Sequence, residues 1–408
     1  DPNVSHRRRN RRGTSSSTSA GTLLQNHDRV REAFPSLDKV NNLNTGTYGI
    51  MPEPALAEFI EALSEWERFG VGTQGRHWGK TRAAREGLAR LICAAPGDIA
   101  LTGNATDGNN LALAGLTWQA GDEVITTNEE HEAINHPLLF MQEHRDIRLR
   151  RIEVSPDADV MLERCQAAWT PRTRMLMFSH VSCESGTRLP AAAMCSWARA
   201  HGVLSFVDGA QSLGAVSVNV NELGCDYFTS NAHKWLCGPK GTGFFYARPE
   251  RMVELIPAHI GAGSLAVADL ATGKVELQPD GRRFEFGTRA HMLFAGVASS
   301  LDWLEGLGWP NIYSHISFIS SYLKAGILER SHLRLLTPVP YEQSAGLTTL
   351  VVVGHNSGDV SVDLRKEGRP RRIVVRVIPH YNAIRLSTAH YNSVQDVDEV
   401  LAALDEYA

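Results

Sequence analysis

The stretch SNAHKWLCGPKGTGFFY, 230–246, sets Lys234 between His233 and Trp235 and runs straight into a glycine-rich turn. A lysine held in that way offers an amine for condensation with a carbonyl group. Twenty-six residues earlier, Asp208 ends the apolar run of SFVDGAQSLGA, 205–215, and is followed by Gly209, Ala210 and Gln211. A carboxylate at the end of a buried strand costs several kcal/mol unless a cation meets it. Asp208 therefore predicts a cationic partner.

Two further segments add chemistry. In TGNATDGNNLALAGL, 102–116, small and hydroxyl residues precede an apolar helix, so exposed N–H groups and the Thr106 hydroxyl could hold a phosphate. In NEEHEAINHP, 128–137, His131 could lie flat against an aromatic ligand. Each has an ordinary reading on its own: a plain helix cap at Thr106, a surface histidine at 131, a surface lysine beside a turn at 234. Taken together they ask for a ring nitrogen at Asp208, a phosphate at Thr106 and His233, an aromatic face at His131 and an aldehyde at Lys234. Pyridoxal phosphate carries all four.

The elements that must position these residues read as an α/β protein. Short apolar runs at 98–103, 122–127, 173–182 and 204–210 alternate with helical segments at 161–169 and 191–202. That alternation predicts a parallel sheet covered on both faces, with ligands at the carboxyl ends of its strands. The last hundred or so residues differ: a long helical run, strands near LTTLVVV and RRIVVRVI, and the acidic closing helix SVQDVDEVLAALDEY predict a second α+β domain. We therefore expect a basic, Ser-rich flexible tail over 1–27, and an amino-terminal segment, 28–85, that contributes its helix 53–68 to the small domain. A large cofactor-binding domain is expected over 86–300 and the small domain over 301–408.

Composition narrows the function. The 408 residues are 43% hydrophobic and 21% charged, with a net charge of -4, so there is no global pull toward nucleic acid or an anionic membrane. No apolar run approaches the roughly 18 residues a membrane span requires. The six cysteines lack metal-ligand or disulfide spacing, which predicts reduced thiols in a cytoplasmic protein and no metal site. A cofactor-binding regulator with a DNA-contacting tail is the contrasting class, and the complete lysine, aspartate and arginine set weighs against it.

The series NAT, EHEA, VDGAQ, HKW and GPKGTGF resembles the class V aminotransferase family of fold type I pyridoxal-phosphate enzymes, from about residue 36 to the end. Within it, VNNLNTGTYGIMP, SHVSCESGTRLPAA and CDYFTSNAHKWLCGP look most like the isopenicillin N epimerase branch, which belongs to antibiotic biosynthesis, and the related cysteine or cystine C–S lyases. The resemblance implies a large domain with a mostly parallel seven-stranded sheet. It implies that Lys234 forms the Schiff base, Asp208 meets the ring nitrogen, Gln211 the ring hydroxyl, and His131 the ring face. Ala105, Thr106, Asn231 and His233 would hold the phosphate, with Thr288 reaching the phosphate of a second subunit in a homodimer with shared active sites. Arg385 would clamp the substrate carboxylate, flanked by Asn44, Thr47 and Cys183, with Arg76 and His77 at the entrance.

The cofactor would make the α-carbon acidic and Lys234 would move its proton; the flanking groups then decide among racemisation, β-elimination and transamination. The chain has no cysteine after Cys237, which argues against a persulfide carrier on a late loop. The expectation is a C–S lyase acting on cysteine or an S-substituted conjugate. The alternative is an amino-acid epimerase, with aminotransferase or decarboxylation-coupled deaminase chemistry behind it.

Overall fold

The computed structural model describes residues 24–408, so most of the expected tail lies outside the described residues. The remainder of that tail is docked: Leu24 is buried, its amide donates to His315 Nδ1, and His27 stacks on the same ring. An apolar side chain at 24 finds a pocket that the basic composition upstream did not signal.

In chain order, β1 (Val40–Asn42) precedes the seven strands of the central sheet. These are β2 (Ile99–Thr102), β3 (Glu123–Thr127), β4 (Arg148–Ile152), β5 (Thr173–Ser179), β6 (Leu204–Asp208), β7 (Tyr227–Asn231) and β8 (Gly243–Ala247). They lie in the order β2–β8–β7–β6–β5–β3–β4, and only β8 runs antiparallel to its neighbours. Every residue of β6, β7 and β8 is buried, as expected where helices cover both faces. Alternate side chains feed two cores. Met175, Met177, Phe206, Tyr227 and Phe245 pack with Ile134 and Leu138 of helix Glu132–Arg145, whereas Leu176, Phe178, Val207, Phe228 and Phe244 pack with helices on the other face.

A hairpin of β9 (Leu265–Asp269) and β10 (Lys274–Leu277) stands largely exposed. The carboxy-terminal unit is an antiparallel sheet, β11 (Leu333–Leu335), β12 (Leu347–Val352), β14 (Arg376–Ile378) and β15 (Ala383–Ser387), ordered β11–β12–β15–β14. Helices Trp309–Leu328 and Val394–Asp405 cover it through Ile319, Leu323, Val397 and Leu401. Strand β13 (Arg372–Val374) pairs instead with β1, which ties the amino-terminal segment to this unit. Helix Glu53–Phe69 lies elsewhere, with Glu58 accepting from Ser299 and Phe59 meeting Gly296 of helix His291–Leu307. That second helix runs unbroken through residue 300, so a boundary drawn there falls inside one element.

Candidate active site

The chemically suggestive residues converge because their strands end at the same edge of the sheet. Asp208 closes β6, Lys234 follows β7, His131 follows β3 and caps the next helix, and Ala105 opens a helix after β2. Helix Ala105–Gly115 starts where Asn104 Oδ1 accepts from the Asp107 amide. The approach is so close that a Cβ on Gly243 would stand 2.7 Å from Asn104 Cα. Glycine there lets the antiparallel β8 run past the helix start.

Asp208 is 3% exposed, and its partners are neutral donors: the Ala210 amide at 2.9 Å and Asn109 Nδ2 at 3.3 Å. No cation forms an ion pair with it among the described residues. Lys234 is also buried, and its Nζ has no hydrogen bond among them. Burial lowers the Lys234 ammonium to about 8 against the raising effect of Asp208. His131 accepts the Ala133 amide at Nδ1, so its Nε2 faces outward. The residue is exposed, and desolvation and then Lys234 lower the basicity of its ring.

At the expected phosphate corner, Ala105 gives its amide to Asn231 Oδ1 at 2.9 Å, which leaves Asn231 Nδ2 free to donate. Thr106 is exposed beside it. His233 donates Nδ1–H to the Thr242 carbonyl, and burial holds it neutral, down to about 4. Gln211 is partly engaged: Nε2 donates to Gly46 O at 2.8 Å and Oε1 accepts from Trp235 Nε1 at 3.2 Å. It thereby anchors the 44–49 loop beneath Lys234, and one Nε2 proton remains.

That loop meets Arg385 on β15. Arg385 Nη1 donates to the Cys183 carbonyl at 2.6 Å and Nη2 to Thr47 Oγ1 at 3.4 Å, while Thr47 donates to Asn44. Its buried Nε has no partner, and burial lowers the guanidinium to about 10. Asn44, Thr47, Cys183 and Arg385 thus share one wall. Burial pushes the Cys183 thiol up to about 12, so it is neutral.

Three expected residues are not brought into this cluster. Arg76 is exposed on helix Gln74–Leu91 and is engaged by Glu65 and Glu61. His77 is buried edge-on against Trp66. Helical periodicity puts adjacent residues on different faces, so the two side chains part, one to solvent and one to Trp66. Thr288 is exposed after the Gly281–Phe284 turn and bonds to none of the other residues.

Sequence reasoning missed Asn109, Glu129, Glu130 and Arg376. Glu129 accepts from Ser182 Oγ, Ser185 Oγ and the Tyr381 hydroxyl, each at 2.5 Å, joining the segment before His131 to the turn between β14 and β15. Arg376 pairs directly with Arg385 across β14 and β15, has no partner among the described residues, and its charge acts on both Arg385 and Lys234. The signal for Arg376 was its nine-residue separation from Arg385 across a short turn.

A family model described as aminotransferase class V matches residues 57–400. Isopenicillin N epimerase of Streptomyces clavuligerus is 30% identical over 384 residues, covering 90% of this chain and 94% of the relative. Cysteine desulfurase of Klebsiella pneumoniae subsp. pneumoniae is 28% identical over 400 residues, covering 92% and 97%. A solved lysine-to-alanine variant of C-DES, with glycine covalently linked to the PLP cofactor, superposes with a TM-score of 0.85 at 26% identity and covers 93% of this chain and 99% of that one. The complex between the cystine C–S lyase C-DES and its reaction product, cysteine persulfide, gives 0.83 at 26% identity, with 91% and 98% covered.

Proposed function

Because the chain belongs to the aminotransferase class-V family, we propose that it is a pyridoxal-phosphate enzyme acting at the α-carbon of an amino acid, and in particular a β-eliminating C–S lyase for cysteine or an S-substituted conjugate. Its fold is that of the type I enzymes of this cofactor. The observation that carries the cofactor reading is the pair of buried, uncompensated groups: a carboxylate at 208 met by neutral donors and an unpartnered ammonium at 234. A ring N–H and an aldehyde suit those two groups, so the residues fit the cofactor.

When bound, pyridoxal phosphate supplies an aldehyde for the substrate amine and a protonated ring that draws electron density from Cα. Asp208 would accept the ring N–H, and Gln211 would give its remaining proton to the ring hydroxyl. Asn231 Nδ2, the Thr106 hydroxyl, His233 and the helix start would hold the phosphate. His131 would lie along the ring. Lys234, with its proton affinity lowered by burial, would take the Cα proton near neutral pH. Arg385 Nε points to the α-carboxylate role, and a guanidinium grips a carboxylate bidentately.

Arg376 beside Arg385 suits a substrate with a second carboxylate, and for the lyase reading two cysteines joined through sulfur meet that condition. The absence of cysteine after Cys237 fits sulfur leaving with the product. Epimerisation is the second reading, favoured by the 30% identical relative. It requires a proton donor opposite Lys234, and the neutral Cys183 thiol is the nearby candidate. Incubating candidate amino acids with the holoenzyme and measuring pyruvate, ammonia, released thiol and α-deuterium exchange tests both. Exchange with inversion and no keto acid would sink the lyase reading.

We also propose a homodimer whose partner receives Thr288, supported by the exposed Phe286 and Ile260 nearby. Sedimentation of a fully active monomer would refute it. Unpaired thiols at all six cysteines support a reducing, cytoplasmic setting, which cell fractionation would test.

A further inference from the structure

Glu130 has no role in the chemistry above, yet it is a fully confined carboxyl at the strand ends. It is 4% exposed and accepts four hydrogen bonds: Thr127 Oγ1 at 2.7 Å, the Ser179 amide on both oxygens at 3.1 Å, and Ser179 Oγ at 2.5 Å. Ser179 is the direct partner of Asp208 between β5 and β6, so the two carboxyl groups occupy neighbouring strand ends. No ammonium or guanidinium pairs with Glu130 among the described residues. A buried carboxyl without a cation is costly, and a simple anchor for Ser179 would need only a neutral amide or hydroxyl.

We propose that Glu130 is a positioning residue of the cofactor site, a second carboxyl that acts through Asp208 and sets how tightly the ring nitrogen above Asp208 holds its proton. The proposal rests on the pyridoxal-phosphate reading. Its neighbours are Asp208 on β6, the neutral His180 at the end of β5, the Cys183 thiol beyond it, and Glu129 and His131 in its own segment. Lys234 and Arg385 act on the same Cys183 thiol as Glu130 does. An ionised Glu130 adds a second negative charge, which raises the proton affinity of every cationic group nearby; a protonated Glu130 does not. Burial, assisted by Asp208, pushes it up to about 7, so this charge changes within the neutral range.

Two measurements test it. A carboxyl raised in the folded chain makes the protein lose stability as pH climbs from its ordinary 4.5 through about 7. Apoprotein carrying Glu130→Gln should therefore lack that fall, without reference to the cofactor. In the holoenzyme, the pH titration of the bound cofactor's visible absorbance should move down in Glu130→Gln by roughly half a unit or more. Thr127→Val, which removes one donor to the anion, should move the Glu130 step upward. Titrations of both variants that superimpose on the wild type, with cofactor bound, overturn the proposal. If Glu130→Gln does not fold, Thr127→Val decides alone by the same criterion. Failure of the wild type to bind pyridoxal phosphate at all would be a different result, against the cofactor reading rather than against the role of Glu130.

Discussion

Arg376 and Arg385 are direct partners across an antiparallel strand pair, so two guanidinium groups stand on the same face of the small sheet, one exposed and one 4% exposed. Like charges opposed in this way repel, and an anion between them relieves the repulsion.

The pair separates substrate classes. Arg376→Ala should raise KM roughly fivefold for an amino acid with a second carboxylate and leave a monocarboxylate S-alkyl cysteine unchanged, because an exposed ion pair contributes little. Arg385→Ala should raise KM roughly 30-fold or more for both, as loss of a buried carboxylate partner does. Equal effects of Arg376→Ala on the two substrates would remove it from substrate binding.

Lys234→Ala should abolish the visible absorbance of the bound cofactor's link to the chain and lower turnover by roughly 10³-fold or more. Borohydride trapping followed by peptide mapping should label residue 234 in the wild type. Turnover near the wild-type rate would show that another group moves the proton.

Asp208→Asn keeps the shape of the ring partner and loses its charge. It should retain the cofactor yet lose roughly 10²–10³-fold in kcat. Asn109→Leu, which removes one donor to Asp208, should give a smaller loss in the same direction. Full activity in Asp208→Asn would place the ring nitrogen elsewhere.

Lys324 gives a stability test away from the chemistry. It is 1% exposed, its Nζ is held by Ser344 Oγ and the Val339 carbonyl, and burial lowers it to about 8. The unfolded chain therefore binds more protons between about 8 and the ordinary 10.5, and wild-type stability should rise with pH across that window. Below it the charged group lowers stability, so Lys324→Met should raise Tm at pH 7 by a few degrees, on the order of 1 kcal/mol. A lower Tm would mean that the two hydrogen bonds outweigh the burial of charge.

The strands that end at the site were legible because they are buried on both faces and appear as mostly apolar runs. LSFVD and TRMLMFS are examples, and the lysine after β7 followed from local chemistry, whereas the helix cap falls on Asn104 rather than on Thr106. Strand β4, with Arg148, Arg150 and Arg151, sits at the sheet edge and carries charge on its open side, so nothing apolar marked it. The exposed hairpin of β9 and β10 left no periodic trace for the same reason. Contacts made only by folding were hidden too: Glu130 on Ser179 and Asn109 on Asp208 join residues that local sequence patterns cannot pair. Arg76 and His77 sit apart from the cluster, Arg76 on the exposed face with Glu65 and His77 buried against Trp66.

The bond from the Tyr381 hydroxyl to Glu129 makes the two halves of the pocket interdependent. Transplanting the carboxy-terminal unit from a related enzyme, as one would to alter what the pocket accepts, brings a new turn against an old acid. A graft lacking a hydroxyl at that point leaves Glu129 Oε1 without its donor, while Ser182 and Ser185 still hold Oε2, and loosens the His131 segment beside it. Engineers who exchange that unit should therefore move the pair together.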